Sequence, residues 1–108
     1  MIYELKKYTP APGKEAALKE RFARVTLPIF KRIGIEVLHC FEDPKNPNDL
    51  YYLTAFRTEQ DRELAWKAFG ADPEWKSAKA ASETDGPLLA AQTSVDLRPT
   101  SFSPRDAS

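Results

Sequence analysis

The feature that most constrains the fold is an amphipathic segment, Lys14–Ile33. Its apolar residues recur at steps of four, three, four and four, which places them on one stripe of an α-helix. They are Leu18, Phe22, Val25, Ile29 and Ile33. Burying five such side chains gains about 8–15 kcal/mol, which is less than the cost of ordering the backbone of the segment. The helix therefore needs a second layer, and the pattern predicts a sheet beneath it.

The rest of the chain reads as four strands and two more helices. Strands are predicted over Ile2–Tyr8, Ile35–Glu42, Leu50–Phe56 and Ala90–Leu97, and helices over Glu59–Phe69 and from Pro73 to about Thr84. The turn-rich linker Asp43–Asp49 is too short for a helical crossover, so the strands around it form an antiparallel hairpin. Pro28 is expected to kink or break the first helix because it lacks an N–H. The order β-α-β-β-α-β predicts an α+β, ferredoxin-like domain with a four-stranded antiparallel sheet.

The third predicted strand is apolar on both of its faces. Leu50, Tyr52 and Phe56 share one parity, and Tyr51, Leu53 and Ala55 share the other. A strand with this pattern is typically buried on both sides. Because one chain supplies helices for only one face, a second copy is expected to cover the other, which predicts a homodimer.

Composition narrows the class of protein. At 108 residues the chain is one domain, 1–108, and its 16 basic residues balance 16 acidic ones. The sequence has no excess of basic residues, which would indicate a nucleic-acid partner. It also has no basic amphipathic run, which would indicate binding to a membrane surface. The single cysteine, Cys40, excludes an intramolecular disulfide. With no secretory signal pattern and no membrane-length apolar run, the expectation is a soluble cytoplasmic protein.

Few side chains in the sequence are candidates for catalysis or ligand binding. Glu4 and Lys6 share one face of the first strand, with Tyr8 beyond them. If that face looks into a cavity, the low dielectric permits acid–base chemistry. The alternatives are a buried ion pair and a solvated strand edge.

The only histidine, His39, rules out a multi-histidine metal site, and no glycine-rich phosphate cradle exists. His39 is either a cavity residue or a packed structural one, and Tyr52 joins the candidates for a cavity wall. A His39–Cys40 dyad is not expected, since neighbours in a strand point to opposite faces. Cys40 is expected to fill the core, and Trp66 to pack on Trp75 or at a subunit contact. No cofactor and no metal are expected.

The sequence resembles the NIPSNAP family over nearly its whole length. The resemblance rests on Met1–Leu5 leading into Pro12–Lys14, on Leu27–Ile29, on Ala71–Trp75, and most specifically on the run Leu97–Pro104. It implies a ferredoxin-like fold paired into a dimeric α+β barrel with a small cavity between the sheets. The wider barrel superfamily includes haem-binding members, which gives His39 one further possible role.

Two functions are compatible with this resemblance. The first is a homodimeric barrel of unassigned activity that binds a small molecule or a partner in or near the barrel. The alternative is a cofactor-free enzyme of monooxygenase or isomerase type, and a purely structural protein is a third possibility. The candidate cavity residues are Glu4, Lys6, Tyr8, His39 and Tyr52.

The segment after the last strand carries a large ring, Phe102. Phe102 would gain free energy if buried, and Pro99 and Pro104 lower the entropy lost on docking, so residues 98–104 are expected to dock on the body or on a partner subunit. The alternative is an ordinary frayed terminus that contains a phenylalanine. Residues 105–108 are expected to be mobile.

Overall fold

The computed structural model describes residues 1–104 and shows one antiparallel sheet of four strands with helices on one face. The elements run β1 (Ile2–Pro10), α1 (Glu15–Arg21), a π-helical turn (Phe22–Thr26), α2 (Leu27–Ile33), β2 (Glu36–Asp43), β3 (Asn46–Phe56), α3 (Glu59–Ala71), α4 (Pro73–Ser82) and β4 (Leu89–Leu97). The strand order is β2-β3-β1-β4. This confirms the predicted α+β, ferredoxin-like architecture.

Strand β1 lies between β3 and β4, and its pairing with them shows which residues share each face of the sheet. Lys6 lies opposite Tyr52 on one side and Ser94 on the other. The face that carries them packs under the helices, because Tyr8, Tyr52 and Phe56 all contact the helical core residues. The opposite parity forms a second surface, which we call the helix-free face. It carries Tyr3, Leu5, Lys7, His39, Phe41, Tyr51, Leu53, Val95 and Leu97.

The first helix is interrupted just before Pro28, in agreement with the expected break. A π-helical turn separates α1 from α2, and in it the Leu27 N–H bonds the Phe22 carbonyl five residues back. Pro28 has no N–H to give to the Arg24 carbonyl, so the regular hydrogen-bond ladder cannot continue through this point. The extra residue rotates the following side chains by about 100°. Thr26 and Phe30 consequently turn inward and are buried, whereas Val25 is only half-buried.

An aromatic cluster joins the helices to the sheet. Tyr52 is fully buried, with its ring centroid 4.8 Å from that of Phe22 and 5.9 Å from that of Phe30. Phe30 in turn contacts Trp66 at 5.5 Å and Phe69 at 4.9 Å. The expectation that Trp66 packs on Trp75 is wrong, since Trp66 enters the core and Phe69 takes the place beside Trp75.

Two predicted loops differ from the structure. The β2–β3 linker is a two-residue turn, Pro44-Lys45, closed by the pair Asp43–Asn46. The register then shifts so that the next pair is Glu42 with Leu50, and this irregularity accommodates Pro47. Phe102 is 83% exposed, so the prediction that the tail docks on its own chain is wrong, and docking on a second copy stays a prediction. The expected mobility of residues 105–108 falls outside the described residues.

The aromatic cluster yields a stability prediction. Phe22→Ala should lower the free energy of unfolding by about 3–5 kcal/mol, because the ring is buried against three other aromatic rings and leaves a cavity. Urea unfolding followed by circular dichroism measures this. Lys31→Ala, on the exposed side of α2, is the matched control and should change stability by less than about 0.5 kcal/mol. A loss below about 1 kcal/mol for Phe22→Ala would contradict the packing described.

Candidate functional site

Four of the five predicted cavity residues share one surface. Glu4, Lys6, Tyr8 and Tyr52 all lie on the sheet face that the helices cover. His39 lies opposite Leu53 on the helix-free face and is exposed, so the structure does not bring it to the other four. The four residues divide into a closed end around Glu4 and an open end around Tyr8.

The closed end is an ion cluster centred on the Glu4 carboxylate, which is 5% exposed. The Trp66 indole N–H donates to Oε1 at 2.5 Å, and the Ser94 hydroxyl donates to Oε2 at 2.7 Å. Two cations flank the carboxylate at longer range: Lys6 Nζ lies 3.8 Å from Oε2, and Arg62 Nη1 lies 3.9 Å from Oε1. Both carboxylate oxygens therefore have donors and opposite charge beside them.

Further contacts fix the cations of this cluster in place. Arg62 Nη1 bonds Asp96 at 2.7 Å, and its Nη2 bonds Glu59. The bond to Asp96 is the main reason that the pKa of Arg62 lies above its usual value, with smaller contributions from Glu59 and Glu4. Lys6 lies 4.4 Å above the Trp66 ring. The charged groups at this end therefore have their hydrogen-bond and ion-pair partners within the cluster. This arrangement matches the buried ion-pair alternative more closely than an acid–base centre.

The open end begins at two phenols. The Tyr8 and Tyr52 hydroxyl oxygens are 2.7 Å apart, and their rings meet edge to face. Burial raises the pKa of both hydroxyls above the usual value. Both phenols are therefore protonated at neutral pH, so they act there as hydrogen-bonding groups and not as bases.

Tyr8 forms part of the wall of a cleft of about 160 Å³ between α1, α4 and the sheet, which we call the Arg21 cleft. Its lining has four aromatic rings, two cationic side chains and no carboxylate or imidazole. The lining residues are Tyr8, Leu18, Arg21, Phe22, Thr26, Phe69, Trp75, Lys79, Leu89 and Gln92.

Arg21 is the residue that sequence reasoning missed. It is 6% exposed, and its Nη1 donates to the Ser82 hydroxyl at 3.0 Å and to Glu83 at 2.7 Å. Its guanidinium lies 4.9 Å from the centre of the Trp75 ring. A signal was present in the sequence: Arg21 follows Leu18 by three residues and precedes Phe22, so it belongs to the inner side of the helix.

Helix α4 brings Trp75 and Lys79 to the cleft, and Asp72 positions that helix. The Asp72 carboxylate accepts from the Trp75 N–H at 3.0 Å and from Arg32 at 2.9 Å. The Trp75 N–H first, and then Arg32, hold the pKa of Asp72 below its usual value. The predicted helix start at Asp72-Pro73 is confirmed, and Pro73 is the first helical residue.

Cys40 and His39 do not form a dyad. Cys40 lies opposite Tyr52 and His39 opposite Leu53, so they occupy different faces, as the strand periodicity predicted. Cys40 is exposed on the edge strand β2, so the expectation that it fills the core is wrong. Among residues 1–104, no three His, Cys, Asp or Glu side chains are placed to hold a metal ion. No helix in that range is long and apolar enough to span a membrane.

The fold and this cleft define a ferredoxin-like α+β protein, and comparison with known proteins gives its family. The NIPSNAP family model matches residues 3–104, so the chain belongs to the NIPSNAP family. The resemblance seen in the sequence is thereby confirmed. No match to the chain was found among curated protein sequences.

Solved structures agree with this assignment. An uncharacterised NIPSNAP domain protein from Burkholderia xenovorans has a TM-score of 0.81 at 22% identity, covering 97% of this chain and 100% of that chain. A NIPSNAP family protein of unknown function from Agrobacterium tumefaciens has a TM-score of 0.79 at 26% identity, covering 96% of this chain and 92% of that one. A Nitrosomonas europaea protein provisionally assigned as an antibiotic biosynthesis monooxygenase has a TM-score of 0.65 at 13% identity, covering 92% and 98%. At that identity the likeness shows a shared fold alone.

The closed end yields a second stability prediction. Glu4→Gln should lower the free energy of unfolding by about 1–3 kcal/mol, because the amide oxygen can replace only one of the two acceptors and Lys6 and Arg62 lose a nearby negative charge. Urea unfolding at neutral pH measures this. Glu20→Gln, in an exposed pair with Arg24, is the control and should cost less than about 0.5 kcal/mol. Equal effects of the two substitutions would contradict a structural role for the Glu4 cluster.

Proposed function

We propose that this protein is a homodimer that binds a small molecule in the Arg21 cleft of each subunit. The observation that carries the proposal is the buried Arg21 guanidinium. It faces a cleft of about 160 Å³ walled by aromatic rings. Charged groups are costly to bury, and a partly used guanidinium at a small apolar cleft is a common way to recognise a polar ligand group.

The composition of the cleft supports binding more than catalysis. Its lining contains no carboxylate or imidazole to act as a general base, and Tyr8 is protonated at neutral pH. Glu4 is occupied by its own partners, and His39 lies on the other face. These features weigh against the alternative of a cofactor-free enzyme of monooxygenase or isomerase type.

A second copy of the chain is the proposed occupant of the helix-free face. Phe41 is 48% exposed, Val95 51% and Leu97 43% in the isolated chain. At about 4.8 Å between strands and 3.3 Å per residue, the face offers roughly 600 Å² per copy. Two copies would bury about 1,200 Å², the lower bound of stable interfaces. Phe102, exposed just beyond β4, could add to this contact.

The dimer is tested by charge substitution on the helix-free face. The chain should have twice its 12.2 kDa mass by light scattering at micromolar concentration. Val95→Lys should shift the mass towards the monomer, because a desolvated ammonium opposes burial of the face. Leu64→Lys is the matched control: Leu64 is 58% exposed on α3, and its substitution should leave the dimer intact. A wild-type monomer, or equal effects of the two lysines, would contradict the proposed interface.

Ligand binding is tested by the two tryptophan indole N–H signals in a ¹H–¹⁵N NMR spectrum. Trp75 lines the cleft, whereas the indole of Trp66 is bonded to Glu4 in the closed end. In a fragment screen, bound fragments should move the Trp75 signal and leave the Trp66 signal in place. Trp75→Phe assigns the two signals. A screen in which no fragment moves the Trp75 signal would contradict the proposed function.

A further inference from the structure

We propose that the ligand of the Arg21 cleft is a small monocarboxylate with a single aromatic ring. This inference rests on the proposed function, because it names the chemistry of the molecule that the same cleft binds. Four features of the cleft support it. They are its net charge, the free donors on Arg21, the direction of the hydrogen bond between Tyr8 and Tyr52, and the volume and aromatic lining of the cleft.

The cleft has a surplus of positive charge. Arg21 is paired with Glu83, but Lys79 makes no ion pair with any residue in 1–104. No acidic side chain lines the cleft. One positive charge therefore remains at the cleft, on the exposed Lys79, and its field favours a ligand that carries a negative charge. A cationic ligand is disfavoured for the same reason.

Arg21 retains the donors that a carboxylate needs. Both of its hydrogen bonds within residues 1–104 leave from Nη1, so Nε and Nη2 make none there. No fully buried side-chain nitrogen in that range lacks a partner, so these two atoms must be accessible. Because Arg21 is only 6% exposed and lines the cleft, the accessible side is the cleft side. Nε and Nη2 together form the fork that binds a carboxylate in a bidentate manner.

The phenol pair supplies a third donor. Tyr52 is fully buried, and its hydroxyl has only the Tyr8 hydroxyl as a hydrogen-bond partner within residues 1–104. If Tyr8 donated to Tyr52, the Tyr52 proton would be buried without an acceptor, which is costly. The favoured order is therefore Tyr52 donating to Tyr8. The Tyr8 proton is then left for an acceptor in the cleft, such as a carboxylate oxygen.

The volume of the cleft and its aromatic lining favour a ligand with a single ring. The cleft volume of about 160 Å³ is close to that of an engineered cavity of about 150 Å³ that takes up benzene. Phe22, Phe69 and Trp75 supply faces and edges for contact with a planar ring. A two-ring ligand would exceed this space, and a ring-free acid would leave the aromatic walls in contact with water.

The test compares matched ligands on the intact protein by ¹H–¹⁵N NMR titration. Benzoate should move the Trp75 indole signal with saturation, leaving the Trp66 signal unchanged. Benzamide, which has the same shape without the charge, should bind at least about tenfold more weakly, since a charge-assisted bidentate contact is lost. Acetate, which has the charge without the ring, should also bind at least about tenfold more weakly.

Substituted variants distinguish a specific contact of Arg21 with the ligand from a general effect of positive charge on binding. Arg21→Met should weaken benzoate binding by about tenfold or more, whereas Arg24→Met, which removes an exposed arginine from the adjoining π-helical turn, should not change it. Lys79→Met, at an exposed position where folding is not at risk, should weaken binding several-fold through loss of charge.

The outcomes distinguish this inference from the proposed function. Benzamide binding as tightly as benzoate, with the Trp75 signal moving, would overturn the carboxylate and leave the cleft as a binding site. Undiminished benzoate binding by Arg21→Met and Lys79→Met would overturn it too. If benzoate fails to move the Trp75 signal while other fragments do, the ligand class is wrong. If nothing moves that signal, the proposed function fails as well.

Discussion

The rest of the structure depends on the burial of Tyr52 between the first helix and the sheet. Phe22 and Phe30 pack on its ring from one helical segment, and that contact fixes how the helix lies on the strands. A buried phenol must also satisfy its hydroxyl, and Tyr8 on the neighbouring strand does so at 2.7 Å. One buried side chain thus links the position of the helix, the register of β1 with β3, and the orientation of Tyr8 at the cleft.

The helix-covered face of β1 has two ends with different properties. At Glu4 the carboxylate oxygens are occupied by Trp66 and Ser94, and its neighbouring cations have further partners, so little remains for a ligand. At Tyr8 the Arg21 guanidinium is only half used. Both ends contain buried charge, and the second combines it with a cleft of about 160 Å³. This difference makes the second end the candidate site.

Much of the fold follows from sequence periodicity. The Leu18–Ile29 stripe predicted the helix, and the alternation in β4 and the turn residues after β2 predicted the antiparallel sheet. The π-helical turn was not predictable in the same way, because it depends on how the helix adjusts around Pro28 while packing on the sheet. Its one-residue shift brings Phe30 into the core, which a regular 3.6-residue period does not predict.

The sequence predicted only part of the candidate site. Tyr8 and Tyr52 were among the predicted cavity residues, whereas Arg21 was missed because arginine usually lies on the solvent-exposed side of a helix.

A crystal of the protein grown with 4-bromobenzoate would locate the ligand site directly. The bromine scatters anomalously, so its position does not depend on interpreting weak density for the ring. If the Arg21 cleft is the binding site, a bromine peak is expected among Phe22, Phe69 and Trp75, with the carboxylate on Arg21 Nε and Nη2. An ordered bromine found only elsewhere, for example against the helix-free face of the sheet, would contradict it.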